Sequence, residues 1–206
     1  MHARPNTVVF DFGGVLVRWA PRTVTKTLFP DPAVQEKIMR EVFQHADWLE
    51  YDRGTFAEHE LIVRFAERTG ESEASMAKLF DAMRESLSPV KDTVKLLTDL
   101  AARKVPLYGL TNMHGDTFQF LKNRDDFWSL FKGVVVSGHV KLLKPDRKIF
   151  EHLLQEHDLK AHEVVFIDDL EANVQGARSA GLHALKFQDA ASCARELYPL
   201  LGLEPV

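Results

Sequence analysis

Thr7-Val8-Val9-Phe10-Asp11-Phe12-Gly13-Gly14-Val15 decides how the rest of the chain reads. An apolar run meets an aspartate and then two glycines. With no polar residue alternating through it, the run reads as a strand buried on both faces, ending where backbone freedom begins. Segments 105–110, 134–137, 164–167 and 183–187 have the same character. Between them apolar residues recur at helical spacing: Val90, Val94, Leu97 and Ala101, then Ile149, Leu153 and Leu154, then Val174 and Ala177. Gly181 suits the position just past the last of these helices. Strand–helix alternation predicts an α/β protein, a Rossmann-like parallel sheet of about five strands with helices on both faces.

The stretch 18–88 breaks the alternation. It offers no strand but three amphipathic stripes: Val34, Ile38 and Val42; Phe56, Leu61 and Phe65; and Met76, Leu79, Phe80 and Met83. Asp52-Arg53-Gly54-Thr55 is a turn signal between two of them, with Thr55 a candidate N-cap. A crossover needs only one helix, so this reads as an all-helical cap inserted after the first strand. The expected division is a core of 1–17 and 89–206 and a cap of 18–88.

The 206 residues are 45% hydrophobic and carry 26 basic against 30 acidic side chains, a formal charge of −4. That balance supplies no basic field for a nucleic-acid backbone, so an anionic ligand must be held by a locally built site. The lone Cys193 excludes an internal disulfide and reads as a surface or packing thiol. No segment approaches a membrane span, and the first apolar run is too short for a secretory core, so the expected location is cytoplasmic. Oligomeric state is left open.

Polar residues follow the strands at their C-terminal ends, where an open parallel sheet places its ligand. These are Asp11 with Gly13 and Gly14, Thr111-Asn112, Lys144-Pro145-Asp146, and Asp168-Asp169. Singly each has a plain structural reading: turn, turn, helix start with Pro145 near N1, and N-cap. Together they suit phosphoryl transfer to an aspartate. A cation held by Asp11 and Asp168 offsets the repulsion between a carboxylate and a phosphate, and few protein ligands plus water suit Mg²⁺. Lys144 keeps Asp11 ionised. The Thr111 hydroxyl can donate to a phosphate oxygen. Gly13 and Gly14 let backbone N–H groups face the anion and a carbonyl face the metal.

Over essentially its whole length the chain resembles the haloacid dehalogenase-like hydrolase superfamily. The match lies in 8–16, Leu110-Thr111-Asn112, 144–150 and 165–177, and is nearest the branch with a helical cap between the first and second motifs. That branch includes sugar-phosphate phosphatases and the phosphatase-like domain of some epoxide hydrolases. The resemblance implies Asp11 as nucleophile, Thr111 on the phosphate, Lys144 balancing charge, and Mg²⁺ on Asp168 and the Gly13 carbonyl. It places Asp169 just behind the metal or on its water, and has Asn112 and Asn173 supporting the loops. The implied substrate is a small phosphorylated metabolite: a sugar phosphate, nucleotide or acyl phosphate.

One position departs from that pattern. Phosphatases of this superfamily typically carry a second aspartate two residues after the nucleophile, and here Gly13 stands there. Losing an acid–base group costs about two to four orders of magnitude, which predicts slow turnover or a good leaving group such as an acyl or anomeric phosphate. His114, Asp116, His45, Asp47 and Asp52 are candidate replacements, each reading first as a solvated surface group.

Three rivals follow. A metal-independent 2-haloacid dehalogenase is disfavoured by the acidic pair Asp168-Asp169. A receiver domain is disfavoured by the order of its acidic residues along the chain. A catalytically weak phosphate-binding protein follows directly from Gly13. Arg22, His45, Arg53 and His59 are candidate contacts to the rest of the ligand, whereas Trp19 and Trp48 are expected to pack the cap. The cluster Phe118, Phe120, Phe127, Trp128 and Phe131 is expected to bury the helix after the second strand.

Overall fold

The computed structural model describes residues 4–204. Strands β1 (Thr7–Phe10), β2 (Leu107–Thr111), β3 (Gly133–Val136), β4 (Val164–Asp168) and β5 (His183–Lys186) form one parallel sheet in the order β3-β2-β1-β4-β5. The α/β class and the five-stranded sheet are as expected. Two bounds move. The second strand begins at Leu107 because the Val105 N–H is taken by Leu100 at a helix end, 3.0 Å away. The third ends at Val136 because Ser137 starts a single helical turn.

Successive residues of the central strands enter different cores. Val8, Phe10, Val165 and Ile167 join one cluster, and Val9, Val164 and Phe166 join the other. This is the two-residue period of a strand covered on both faces. Helices α1 (Pro21–Leu28), α2 (Pro32–Ile38), α3 (Ala46–Asp52), α4 (Glu58–Thr69) and α5 (Glu73–Ser86) come between β1 and α6 (Lys91–Ala102). Next are α7 (Gly115–Arg124), α8 (Ser137–Val140), α9 (Arg147–Glu156), α10 (Glu171–Ser179) and α11 (Ala190–Leu201). Leu96, Leu97 and Leu100 of α6 and Leu197 of α11 cover one face. Ile149, Phe150 and Leu153 of α9 and Val174 and Ala177 of α10 cover the other. Cys193 is buried in α11, where desolvation pushes its thiol up to about 12 and leaves it a packing group.

The helices from α1 to α5 have a core of their own, centred on Ile38, Leu61, Phe65, Met76 and Phe80. The chain leaves and re-enters the sheet layer side by side, where Arg18 N–H donates to Ser88 at 2.9 Å and Val90 N–H to Leu16 at 2.8 Å. One local reading changes here. Thr55 caps nothing: its hydroxyl donates to Glu50 at 2.6 Å, and α4 instead starts after Ala57, whose N–H reaches Glu60 at 2.8 Å. Phe56 therefore sits just outside that helix and still packs on its core. A π-helical turn, Met39–Phe43, follows α2 and brings Phe43 within 4.8 Å of Trp48. Pro145 lies just before α9, where Asp146 is the N-cap and accepts from Lys148 N–H at 3.0 Å.

The five aromatics after β2 do pack that region onto the core, and three of them do so against Phe12. The Phe12 ring lies 4.7 Å from Trp128, 5.7 Å from Phe131 and 5.9 Å from Phe118, fixing the loop that follows β1. Gly109 in β2 makes this possible, since a Cβ there would lie 2.7 Å from Phe12 Cε1. Among the described residues no helix is long and apolar enough to cross a membrane. Gly109→Ala should overpack this contact and cost about 1–3 kcal/mol. A thermal melt should then show a midpoint lower by about 2–10 °C. An unchanged midpoint would mean that Phe12 does not pin the loop.

Candidate active site

The register aligns Phe10 of β1 with Ile167 of β4, so Asp11 and Asp168 come at the same height on neighbouring strand ends. Asp11 N–H donates to Ile167 at 2.9 Å, holding them there. The chain order reverses between β1 and β4, and such a switch point opens a crevice at the strand ends. Two carboxylates side by side need a counter-charge. Lys144 supplies it: its Nζ lies 2.7 Å from Asp11 Oδ1 and 2.7 Å from Asp168 Oδ2, and donates to the Leu110 carbonyl at 3.1 Å. All three side chains are buried.

The lysine is aimed by Asn112. Asn112 Nδ2 donates to the Lys144 carbonyl at 2.9 Å, and Lys144 N–H donates to Asn112 Oδ1 at 2.9 Å. Asp168 is equally constrained. Its Oδ1 accepts from Leu170 N–H at 2.8 Å, and Asn173 Nδ2 lies 3.1 and 3.0 Å from its two oxygens. Asp11, Asp168 and Asp169 each offer an oxygen within 4.8 Å of the others. Gly14 has φ +77° and lies so near Asp169 that a Cβ would overlap its carboxyl. The glycine therefore serves both the left-handed turn and the approach of the third carboxylate.

Three carboxylates against one ammonium leave a buried site with a large negative excess. Burial pushes Asp11 up to about 7, with Lys144 pulling down and Asp168 pushing further up. Burial would pull Lys144 down, but the two carboxylates outweigh it and hold it above its ordinary value. Burial and the Asp168 charge raise Asp169 as well. Such a set of oxygen donors fits a hard divalent cation in charge and chemistry.

A cavity of about 330 Å³ opens over these groups. Asp11, Gly13, Asn112, Lys144, Asp169 and Asn173 form its floor, while Trp19, Phe43, Trp48, Phe80 and Met83 line it from the helical segment. Trp19 and Trp48 thus pack and face the cavity at once. Thr111 ends β2, buried, outside the cavity lining. Arg22, His45, Arg53 and His59 do not line it either. Arg22 pairs with Glu36 on the surface, Arg53 pairs with Glu50 at 3.1 Å, His59 is exposed, and His45 Nδ1 caps α3 by accepting from Asp47 N–H at 3.1 Å. The polar lining residues are instead Tyr51, Asp52, Glu58, Arg84 and Thr117. Arg84 is engaged by Glu58 at 3.0 Å, and the Tyr51 hydroxyl donates to Glu58 at 2.8 Å, so neither cation nor phenol is free to clamp a second anion.

The family model for haloacid dehalogenase-like hydrolases matches residues 5–181. Among characterised proteins, the chain is 28% identical to the sesquiterpene phosphatase of Aspergillus oryzae, over 96% of this chain and 97% of that one. It is 29% identical to the drimenol cyclase of Aspergillus calidoustus, of which it spans only 37%. Among solved structures, an enzyme of the family from Bacteroides thetaiotaomicron, in complex with magnesium and inorganic phosphate, superposes with a TM-score of 0.71 at 20% identity, covering 89% of this chain and 94% of that one. The L-2-haloacid dehalogenase of Xanthobacter autotrophicus superposes at 0.68 with 19% identity, covering 93% and 82%. The chain belongs to the haloacid dehalogenase-like hydrolases.

Proposed function

We propose that the protein is a Mg²⁺-dependent phosphohydrolase in which Asp11 takes the phosphoryl group from a phosphate monoester of an apolar alcohol. The convergence of Asp11, Lys144 and Asp169 at the floor of one cavity, with Asp168 buried directly behind them against Lys144, carries the reading. Asp11, Asp168 and Asp169, with the Gly13 carbonyl, would hold the metal. When bound, it would neutralise the facing carboxylate and phosphate charges. Lys144 orients Asp11 through Oδ1 and leaves Oδ2 as the attacking atom. Asn112 and Asn173 keep Lys144 and Asp168 from turning, which matters because preorganised charge gives most of the rate in phosphoryl transfer. The helical segment 18–88 acts as the cap that closes over the substrate and excludes water.

The cavity supports the apolar substrate. Its upper lining is Trp19, Phe43, Trp48, Leu49, Phe80, Met83 and Leu87. Sugar hydroxyls would find few unpaired partners among them, and unsatisfied polar groups in such a pocket are costly. The likeness to a sesquiterpene phosphatase along nearly the full length of both chains points the same way. Within the broader expectation of a small phosphorylated metabolite, this reading favours an apolar ester over a sugar phosphate, nucleotide or acyl phosphate.

Asp11→Asn should abolish both turnover and capture of beryllium fluoride as a phosphate mimic, and intact activity would remove Asp11 from the mechanism. Over a series of n-alkyl phosphates, kcat/KM should rise about fourfold per methylene, at ~0.8 kcal/mol each, until the cavity is filled. Faster turnover of glucose phosphates than of these esters would overturn the substrate assignment.

Metal binding has a signed pH dependence. In metal-free protein the raised Asp11 favours the folded state below pH 3.8, and that contribution is lost as the pH rises through about 7. A cation must compete with this proton below about 7 and meets a carboxylate above it. After chelation, Mg²⁺ at a hundred times its dissociation constant should stabilise by about 2.7 kcal/mol, raising the melting temperature by about 5–10 °C. At one fixed Mg²⁺ concentration the rise should be larger at pH 8 than at pH 5.5, and an equal rise would contradict binding through Asp11.

A further inference from the structure

Gly13 leaves the site without an acid–base group on the loop of β1, and the space such a group would use is open: a Cβ built there meets nothing within 4 Å. Of the five side chains the sequence offers as replacements, three are engaged elsewhere and one is exposed outside the cavity. His45 caps α3. Asp47 pairs with Arg68 at 2.8 Å. His114 caps α7 by accepting from Asp116 N–H at 3.3 Å and stacks on Tyr51 with ring centroids 4.3 Å apart. Asp116 is exposed and does not line the cavity. The fifth, Asp52, lines the same cavity as Asp11, Gly13 and Lys144.

Its placement is built. Asp52 is the last residue of α3, and the main chain around it is fastened to the sheet layer. The Ser137 hydroxyl donates to the Asp52 carbonyl at 2.6 Å while accepting from Met113 N–H at 2.8 Å, and Lys141 Nζ donates to the Gly54 carbonyl. One side chain thus ties the end of α3 to the loop after β2. The Asp52 carboxyl itself has no hydrogen-bond partner among the described residues, in contrast to Asp168, whose two oxygens are both occupied. Burial, then the nearby charge of Asp11, favours its protonated form.

We propose that Asp52, delivered over the nucleophile by the helical segment, is the general acid and base of this enzyme in place of the residue that Gly13 lacks. The proposal rests on the phosphohydrolase reading above. In the first step Asp11 Oδ2 attacks phosphorus and the bond from phosphorus to the ester oxygen breaks. That oxygen keeps the electron pair, takes the Asp52 proton and leaves as the alcohol. In the second step water attacks the aspartyl phosphate and gives a proton to the Asp52 carboxylate. The bond from phosphorus to Asp11 breaks with its electrons returning to Asp11, and inorganic phosphate leaves. The sum is ester plus water to alcohol plus phosphate.

The test compares wild type, Asp52→Asn and the double variant Gly13→Asp/Asp52→Asn, each with Mg²⁺, on an alkyl phosphate and on p-nitrophenyl phosphate. An alkoxide leaves poorly without a proton, and nitrophenolate leaves well. Asp52→Asn should therefore lose about 10²–10⁴-fold on the alkyl ester. On the aryl ester it should retain a burst of one p-nitrophenol per chain followed by slow release, because only the second step then lacks its base. The double variant should recover at least tenfold on the alkyl ester, since a carboxylate is restored in open space. Wild-type rates for Asp52→Asn would overturn the proposal, and so would equal losses on both esters with no burst and no recovery. A wild type inert toward both esters would instead overturn the phosphohydrolase reading, and the proposal with it.

Discussion

A single ammonium, Lys144, holds two carboxylates from adjacent strands together in a buried site. Without it Asp11 and Asp168 would repel each other where water cannot screen them. Removing one member of such a buried set typically costs about 3–5 kcal/mol, a large part of a domain's stability. The surrounding architecture serves this contact. β1 lies at the centre of the sheet so that β2 and β4 flank it, and the loop carrying Lys144 is fastened to the end of β2 by the two Asn112 hydrogen bonds. The aromatic cluster around Phe12 then fixes where the chain goes after Asp11.

Above that floor the chemistry changes character. The lower cavity is ionic and tightly paired, and the upper cavity is mostly aromatic and aliphatic. A phosphate ester with an apolar body would place each of its ends in a matching environment. The polar side chains of the upper lining are mostly satisfied by one another, as with Tyr51, Glu58 and Arg84, so they shape the lining more than they recognise a second charge. Asp52 is the exception. Its half-buried carboxyl lines the cavity and has no hydrogen-bond partner among the described residues.

Much of this was readable from the chain alone. Doubly buried strands, helical spacing and polar residues at strand ends are local patterns with one physical meaning each, and they located the sheet, Asp11, Lys144 and the acidic pair. The interactions that cross the fold were not readable. Thr55 resembles an N-cap because its neighbours form a turn, but Glu50 claims its hydroxyl first. The π-helical turn at Met39–Phe43 leaves no signature in apolar spacing, yet it puts Phe43 into the cavity lining. Arg22 and Arg53 looked available until their partners Glu36 and Glu50 were placed beside them. The places of Asp52 and Arg84 in the cavity lining depend on how the helical segment folds back over the sheet, which no stretch of sequence encodes locally.

The central claim is that Asp11 becomes phosphorylated, and borohydride trapping tests it most directly. Acyl phosphates are reduced to alcohols by borohydride, whereas free carboxylates are not. Protein mixed with Mg²⁺ and a turning-over phosphate ester, then treated with borohydride, should yield a peptide whose residue 11 has become homoserine when read by mass spectrometry. Turnover with residue 11 remaining aspartate, or with the reduced position elsewhere in the chain, would contradict the account.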